Sequence, residues 1–368
     1  MIDDIEIQEI DTLIATAKEA QAEYEANGSQ EVFDLACQAV GWALMQPQNN
    51  NELSELAVME TGLGNVRDKI QKNHNKTLGL LRDIKNVKSF GHIYDDNEKG
   101  LSIYFRPKGV VAAIVPSTNP LATPTNNIIN ALKTGNSIII APSPKGAGPF
   151  SILLKHIRKN LEDAGINPNL VQMVPTPPSK SKTKRLMELA DLLVVTGSQN
   201  NVRAGYSSGT PALGVGQGNV VTILDETADL NDAAKKIVRS KTFDNATSCS
   251  SENSVIAVRS IYKEALVALE SAGGLVLDED ETKRVINLHW QDGKMHTALL
   301  AQDIDVILDK TGLAHRADEN TRFLILPTTK VGPSAVISGE KMSQFLSLYM
   351  AEDFDDAVNL AIKIQDYQ

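Results

Sequence analysis

The residues with the clearest capacity for chemistry lie around Cys249, one of two cysteines in the 368-residue chain. Residues 243–253 surround this thiol with small and polar side chains, which leave room for a substrate and expose backbone N–H groups. Such N–H groups lower the pKa of a thiol and stabilise an oxyanion. No histidine lies near Cys249 in the sequence, so a protease-like Cys–His pair is not indicated. A nucleophile and an unreactive buried thiol both stay open here, whereas Cys37 is expected in the core.

Two glycine motifs offer other chemistry. Residues 205–209, Gly-Tyr-Ser-Ser-Gly, match the elbow that presents a serine nucleophile between a strand and a helix. Three downstream histidines are available for a triad: His289, His296 and His315. A proline follows where the elbow needs a helix, which favours a structural turn and leaves a Ser207 hydrolase as the alternative class. Residues 214–218 resemble a dinucleotide fingerprint but lack its third glycine at Asn219, so that match fails.

Hydrophobic patterning predicts the elements that position these residues. Continuous apolar runs bounded by turn residues predict buried strands at 110–115, 137–140, 170–174, 192–195 and 220–224. Helical stretches lie between them, so right-handed βαβ units and a parallel sheet are expected. Ligands of such sheets bind beyond the carboxyl ends of the strands. The places to look for a site are therefore the loops that begin at Pro116, Ala141, Pro175 and Thr196.

The rest of the chain predicts helices before this sheet and a second α/β domain after it. Two helices are expected over 5–47 and one over 52–81. A boundary near 230 divides the chain into 1–230, with the N-terminal helices and a nucleotide-binding domain, and 231–368, a catalytic domain. Strands of the second domain are expected at 254–258, 274–277, 304–308 and 323–326. The chain ends in an amphipathic helix at 355–368 without a stop signal, so its end is expected to be unfinished.

Composition excludes several classes of function. Acidic residues exceed basic ones by ten (46 against 36), and no basic stripe with aromatics occurs, so nucleic acid is not an expected partner. No apolar run approaches the roughly 18 residues of a membrane span, and the chain starts with acidic residues, so a cytoplasmic protein is expected. Two cysteines exclude a disulfide framework and a Cys-rich zinc site, and no metal is expected.

Five segments in order along the chain resemble the CoA-acylating branch of the aldehyde dehydrogenase superfamily: residues 115–120, 141–145, 196–198, 206–219 and 243–254. The resemblance implies an α/β aldehyde dehydrogenase fold, in which a Rossmann-like parallel-sheet domain holds the cofactor and an α/β domain carries catalysis. It also implies that this family continues beyond the end of the present chain, and that the protein forms a homodimer or homotetramer.

The resemblance further implies a set of site residues. Cys249 attacks the aldehyde and Asn119 stabilises the oxyanion, with NAD or NADP as cofactor and CoA as co-substrate. The implied cofactor contacts are Pro116, Ser117, Thr118, Pro142, Gly197, Ser198, Val215, Gly216 and Glu340. The match around Glu340 is weaker, because Gln344 stands where the family usually has proline.

Two departures from hydrolytic relatives refine the expected reaction. Gly214 stands where those enzymes carry the glutamate that activates water, so CoA is the expected acceptor of the acyl group. Ala141 and Pro144 replace the lysine and glutamate that hold the adenosine ribose, which leaves NAD and NADP both open.

The residues before the nucleophile suggest the substrate. Thr247 and Ser248 place two hydroxyls there, and hydroxyls bind an anionic tail without a buried cation. A sulfonate is the expected tail, hence sulfoacetaldehyde, with succinate semialdehyde and acetaldehyde as alternatives and Arg203 as a candidate charge partner. The hydroxyls can instead serve only local backbone groups. A catalytically idle oligomerisation scaffold is the third class considered.

Overall fold

The apolar run Val110–Val115 forms a strand whose alternate side chains are buried on opposite faces of a sheet. The structure is a computed structural model and describes residues 2–291, 293–332 and 334–366. Val111 and Val115 belong to the hydrophobic core on one face, and Val110 and Ile114 belong to the core on the other. Burial on both faces explains why this run is continuous and does not alternate with polar residues.

The chain divides into two units. The first comprises Met1–Thr61 and Lys69–Gly216, and the second comprises Gly62–Asp68 and Gln217–Gln368. This division falls at 216, earlier than the boundary near 230 that the sequence suggests. The reason is that Val220–Leu224 pairs in parallel with Glu252–Val258 of the second unit.

The first unit is built around a parallel sheet. Its elements, in chain order, are α1 (Ile2–Ala26), α2 (Gln30–Met45), α3 (Pro47–Thr61), α4 (Val66–Ile84), β1 (Gly91–Asp96), β2 (Leu101–Phe105), β3 (Val110–Val115), α5 (Ala122–Lys133), β4 (Ser137–Pro142), α6 (Ala147–Asp163), β5 (Val171–Met173), α7 (Lys180–Leu189), β6 (Leu192–Thr196), α8 (Gln199–Tyr206) and β7 (Ala212–Val215). The sheet has the order β5-β4-β3-β6-β7 with every pair parallel. The strands β4 and β5 lie on one side of β3, and the strands β6 and β7 lie on the other. The order of connection therefore changes direction at β3, and parallel sheets open a crevice for ligands at such a point.

The second unit is also a parallel sheet covered by helices. Its elements are β8 (Val220–Leu224), α9 (Leu230–Thr242), β9 (Glu252–Val258), α10 (Tyr262–Ser271), β10 (Gly274–Val276), α11 (Glu279–His289), β11 (Trp290–Gln291), β12 (Lys294–Met295), α12 (Ile304–Thr311), β13 (Phe323–Pro327), β14 (Phe345–Ala351) and α13 (Phe354–Gln365). The strand order is β10-β13-β14-β9-β8, again with every pair parallel. Residues 243–251, which carry Cys249, connect α9 to β9.

Several sequence predictions need correction. The strand expected at 304–308 is wrong, because these residues begin α12, whose buried Ile307, Leu308 and Thr311 follow helical spacing and whose end is set by Gly312 at φ 70°. The single helix expected over 52–81 is interrupted between α3 and α4. The strands β7 and β14 were not predicted. The expected final helix is α13, and residues 367 and 368 lie outside the described residues.

Candidate active site

The two cysteines of the chain differ sharply in exposure. Cys249 is exposed, whereas Cys37 is buried in the core of the first unit, where its Sγ contacts the carbonyl of Ile129 at 3.4 Å. Burial raises the pKa of the Cys37 thiol to about 12, so this thiol stays protonated at neutral pH. Cys249 is therefore the accessible thiol, and the prediction that Cys37 lies in the core is confirmed.

The loop before Cys249 has an unusual backbone. Asp244, Asn245 and Ala246 all have positive φ angles, 49°, 53° and 63°, a conformation that residues other than glycine seldom adopt. Side-chain hydrogen bonds hold this backbone in place. The fully buried carboxylate of Asp244 accepts from the Thr247 hydroxyl at 2.6 Å and from the Asn65 N–H at 3.0 Å.

Asn245 anchors the same loop from its other side. Its amide donates to Asp303 at 2.8 Å and accepts from the Gln344 amide at 3.0 Å. A proline at position 344 could not form this hydrogen bond to Asn245, because proline has no side-chain donor. The departure from the family pattern at 344 is explained by this contact with the loop of Cys249.

Gly218 closes the back of the loop. A Cβ atom at this position would lie 2.5 Å from the carbonyl oxygen of Cys249, so only glycine fits. The Gly218 carbonyl accepts from the Asn253 amide at 3.3 Å, and the other side of that amide accepts from the Lys341 N–H at 3.0 Å. Asn253 therefore ties the loop of Cys249 to the segment that carries Glu340.

Charged groups are buried behind the loop. Burial raises the pKa of Glu340 to about 7, while the Gly218 N–H and the ammonium groups of Lys241 and Lys341 oppose this rise. Burial likewise lowers the pKa of Lys341 well below its usual range. His289 is fully buried with its Nε2 at 2.7 Å from the Lys341 carbonyl, and burial lowers its pKa to about 4.

The first unit contains a cleft of about 880 Å³ at the carboxyl ends of β3, β4 and β6. Its volume lies in the range of cofactor and ligand sites. It is lined by Ile114, Val115, Pro116, Ser117, Ala141, Pro142, Ser143, Pro144, Pro178, Ser179, Lys180, Thr183, Lys184, Met187, Glu188, Gly197, Ser198, Asn201, Ala204, Ser207 and Ser208. The loops after these strands are those that the sequence indicated.

The donors in this cleft fit a nucleotide. The buried Ser143 Oγ has no hydrogen-bond partner among the described residues, which leaves it available to a ligand. Ser198 caps α8 by accepting from the Asn201 N–H at 3.3 Å, so the positive end of this helix faces the cleft beside Gly197, at φ 151°. The exposed lysines 180 and 184 add positive charge at the start of α7. Phosphate groups suit these donors.

The cleft brings together part of the predicted cofactor set. Five of its residues line it: Pro116, Ser117, Pro142, Gly197 and Ser198. Thr118, Val215 and Gly216 do not, although Val215 accepts the Gly197 N–H at 3.1 Å. Sequence reasoning missed Ser143, Lys180 and Lys184. Ser143 lies within residues 141–145, one of the five segments that resemble the family, and the i, i+4 lysines after the loop that starts at Pro175 were the available signal.

Asn119 follows β3 in the turn before Pro120 and is half-buried. Its amide forms no hydrogen bond to another residue that the structure describes, so both of its N–H donors are free for a ligand. Arg203 is exposed on α8.

The two hydroxyls before Cys249 differ. The Thr247 hydroxyl donates its proton to Asp244, so that proton is not free for an anionic substrate and the structure argues against this role for Thr247. Ser248 is half-buried, and its hydroxyl has no hydrogen bond within the described part of the chain. Of the two, Ser248 keeps the predicted role.

A serine hydrolase is not supported. Ser207 ends the helix α8 and precedes the strand β7, which is the reverse of the strand-to-helix order that exposes a nucleophile. His289, one of the candidate triad members, is buried with its ring nitrogen on the Lys341 carbonyl.

Over residues 2–291, 293–332 and 334–366, no three acidic, His or Cys side chains gather as a metal site, and none of the helices could span a bilayer.

Each unit is an α/β unit built on a parallel sheet. One has a cleft of nucleotide size, the other has an exposed cysteine in a loop that side-chain hydrogen bonds hold, and together these features define an aldehyde dehydrogenase fold. The model of the aldehyde dehydrogenase family matches residues 2–274, and the chain belongs to this family. It is 49% identical, over 96% of its length and 72% of the relative's, to the sulfoacetaldehyde dehydrogenase (acylating) of Cupriavidus necator.

Solved structures agree with this assignment. An acetylating aldehyde dehydrogenase from Geobacillus thermoglucosidasius matches with a TM-score of 0.94 and 32% identity, covering 100% of this chain and 80% of that one. The propionaldehyde dehydrogenase of Rhodopseudomonas palustris, solved with bound CoA and an acylated cysteine, matches with a TM-score of 0.85 and 27% identity over 97% of this chain and 80% of that one.

Proposed function

We propose that this protein converts an aldehyde and CoA to an acyl-CoA, with a nicotinamide cofactor as oxidant and Cys249 as nucleophile. The observation that carries the proposal is the exposed Cys249 in a loop whose backbone is fixed by Asp244, Asn245 and Gly218. The acylated cysteine of the Rhodopseudomonas palustris relative supports this role. Asn119 stays the predicted oxyanion donor, and Glu340 the predicted contact of the nicotinamide ribose.

The chemistry assigned to Cys249 has two halves. Its thiolate sulfur bonds to the aldehyde carbon and forms a thiohemiacetal, whose oxyanion takes a hydrogen bond from the Cys249 N–H. A bound nicotinamide cofactor supplies the acceptor for the hydride that leaves this carbon. The CoA thiolate then attacks the thioester carbon, the bond to Cys249 breaks, and the cysteine returns as thiolate. Gly214 offers no general base for water, which supports CoA as the acceptor.

NADP is the cofactor that the cleft of the first unit favours. The cleft presents the Ser143 hydroxyl, which has no partner among the described residues, and the ammonium groups of Lys180 and Lys184. Glu188 also lines it, 3.9 Å from the Lys184 Nζ, and Pro144 stands in place of the carboxylate that holds the adenosine ribose in hydrolytic relatives. The proposed substrate is sulfoacetaldehyde, supported by the 49% identity to an acylating sulfoacetaldehyde dehydrogenase and by the unoccupied Ser248 hydroxyl. A cytoplasmic homodimer or homotetramer stays a prediction.

The test measures formation of reduced cofactor from sulfoacetaldehyde with and without CoA. We expect steady turnover with CoA and, without it, a burst of at most one equivalent per Cys249. Cys249→Ala should lose both phases by several orders of magnitude, because no other covalent path exists. Cys37→Ala is the matched control and should keep both. Steady turnover without CoA, or activity in Cys249→Ala, would contradict the proposal.

A further inference from the structure

The connection between α3 and α4, residues 62–68, belongs to the second unit, although α3 and most of α4 belong to the first. Its Gly64 N–H donates to the Ala301 carbonyl at 3.0 Å. The same carbonyl accepts from the Asn245 amide at 3.3 Å. The connection is therefore bonded to the same turn as the loop of Cys249.

Asp68, at the end of this connection, exchanges hydrogen bonds with Asp244 in the loop of Cys249. The Oδ2 atom of the half-buried Asp68 accepts from the Asp244 N–H at 2.7 Å and from the Asn65 side-chain amide at 2.9 Å. In return, the Asp244 carboxylate accepts from the Asn65 N–H at 3.0 Å. Each carboxylate thus binds a backbone N–H of the other segment, and such charge-assisted bonds are stronger than neutral ones.

These bonds replace part of the usual cap of a helix start. Asn65 precedes α4 and accepts the Asp68 N–H at 2.9 Å, as an N-cap residue does. In a complete capping box, the side chain three residues on accepts the N–H of the cap residue, as Glu281 does for Asp278 in α11 at 2.9 Å. At α4, the cap N–H and the Asp68 carboxylate both bind Asp244 instead. Two groups that suit a helix start thus hold the loop.

The same hydrogen-bonded set contains strained backbone. In the part of the chain that the structure describes, five residues other than glycine have positive φ: Asp244, Asn245, Ala246, Ala301 and Met342. The first three lie in the loop of Cys249, and the Ala301 N–H donates to the Met342 carbonyl at 2.8 Å. Such strain persists only where surrounding contacts over-determine it, and it clusters at functional sites. The bonds from residues 62–68 are among those contacts.

We propose that Asp68 is a positioning residue for Cys249, and that it acts by fixing the Asp244 backbone at the start of the loop. The inference rests on the proposed function, in which Cys249 attacks the aldehyde. Asp68 holds the Asp244 N–H, and the φ of 49° at Asp244 sets the direction in which the chain continues toward Cys249. A sulfur that is already in place needs no further ordering, so loss of this bond should slow the attack and leave the thiol present.

The test measures the burst of reduced cofactor that sulfoacetaldehyde produces without CoA. The burst rate reports the attack by Cys249 and the hydride transfer, and the amplitude counts active sites. We expect Asp68→Ala to keep the wild-type amplitude and to lower the rate about tenfold, less than the roughly 100-fold of a 1 Å displacement because the contacts of Asn245 remain. A merely structural role would do the reverse, because partial unfolding removes active sites at an unchanged rate.

Two further variants complete the comparison. In Asp68→Asn, the amide oxygen can take the place of Oδ2 and accept the same two bonds, so the burst rate should stay within about threefold of the wild type. Asp356→Ala is the matched control, since Asp356 accepts the Glu352 N–H at 2.9 Å at the exposed start of α13. It should lower the midpoint of urea unfolding and leave the burst unchanged.

A wild-type burst rate in folded Asp68→Ala overturns the inference, as does a loss confined to the amplitude or an Asp68→Asn variant as slow as Asp68→Ala. Cys249→Ala without a burst shows in each case that the role of Cys249 stands. A burst in Cys249→Ala contradicts the proposed function instead, and the inference falls with it. Asp68→Ser, whose hydroxyl is one bond shorter than the carboxylate, replaces Asp68→Ala should the latter not fold, with the same expected loss of rate.

Discussion

Replacing Gly218 by alanine should disable Cys249 without touching its thiol. The new Cβ would lie 2.5 Å from the Cys249 carbonyl oxygen, whereas an ordinary carbon–oxygen contact is about 3.3–3.6 Å. The two atoms must therefore separate by about 1 Å. Gly218 cannot simply retreat, because its carbonyl accepts from Asn253, which is in turn held by Lys341. Most of the displacement should fall on the loop of Cys249.

A displacement of this size is large for catalysis. Misplacing a reacting group by 1 Å costs about 100-fold in rate, so we expect Gly218→Ala to lower kcat/KM by about that factor. The assay follows reduced cofactor in the presence of aldehyde and CoA, and thermal unfolding verifies that the variant is folded. Alkylation of Cys249 by iodoacetamide, in a Cys37→Ala background, should stay measurable because the thiol is retained.

Gly79→Ala is the control for this substitution. Gly79 lies within α4, and a Cβ there would have no neighbour within 4 Å. Alanine should therefore leave activity unchanged and stabilise the helix by about 0.5–1 kcal/mol. A folded Gly218→Ala variant with kcat/KM within about threefold of the wild type would refute the argument, since it would mean that the loop accommodates the Cβ without moving the nucleophile.

Three further predictions concern pH, cofactor and substrate. Folding lowers the pKa of His289 from 6.5 to about 4, so the unfolded chain is protonated first as the pH falls through this window. The free energy of unfolding should therefore decrease by about 3 kcal/mol between these two pH values. Urea titrations of His289→Gln should lack this decrease. Lys180→Ala with Lys184→Ala should raise the KM for NADP by about tenfold and leave that for NAD within about twofold, and equal effects on both would remove the 2′-phosphate assignment. Ser248→Ala should reduce kcat/KM for sulfoacetaldehyde about tenfold more than for acetaldehyde, whereas Thr247→Val should affect both aldehydes alike; the reverse pattern would return the substrate role to Thr247.

Four of the five strands of the first sheet, β3 to β6, were predictable because local and tertiary signals agree there. Strands buried on both faces have no alternation to obscure them, and turn residues bound each run, so the loops lining the cleft followed directly. The error at 304–308 has the opposite origin. Five apolar-rich residues fit a short strand and a helix start equally well, and only the wider spacing to Thr311 and Gly312 distinguishes them.

The site was predictable in its residue types but not in its support. The small polar neighbours of Cys249 indicated an accessible thiol, yet the braces come from residues distant in sequence, such as Asn65, Asp303 and Gln344. Propensity and periodicity do not predict which residues form these long-range hydrogen bonds, because Asn, Asp and Gln also occur commonly on protein surfaces. The buried Lys241 shows the same limit, because a lysine near a helix end is ordinarily a solvated charge.

The backbone of residues 244–246 shows what this support achieves. Glycine occupies positive φ in many turns of the chain, as at Gly62, where a Cβ would meet nothing within 4 Å. Before Cys249 the residues at positive φ are Asp244, Asn245 and Ala246, of which Ala246 carries a conformational penalty of about 1–2 kcal/mol that glycine would avoid. The side chains of Asp244 and Asn245 form hydrogen bonds within the loop and to other segments, which glycine could not do. The loop is therefore held in one conformation by its side chains, as a nucleophile requires if it is to meet its substrate without further ordering.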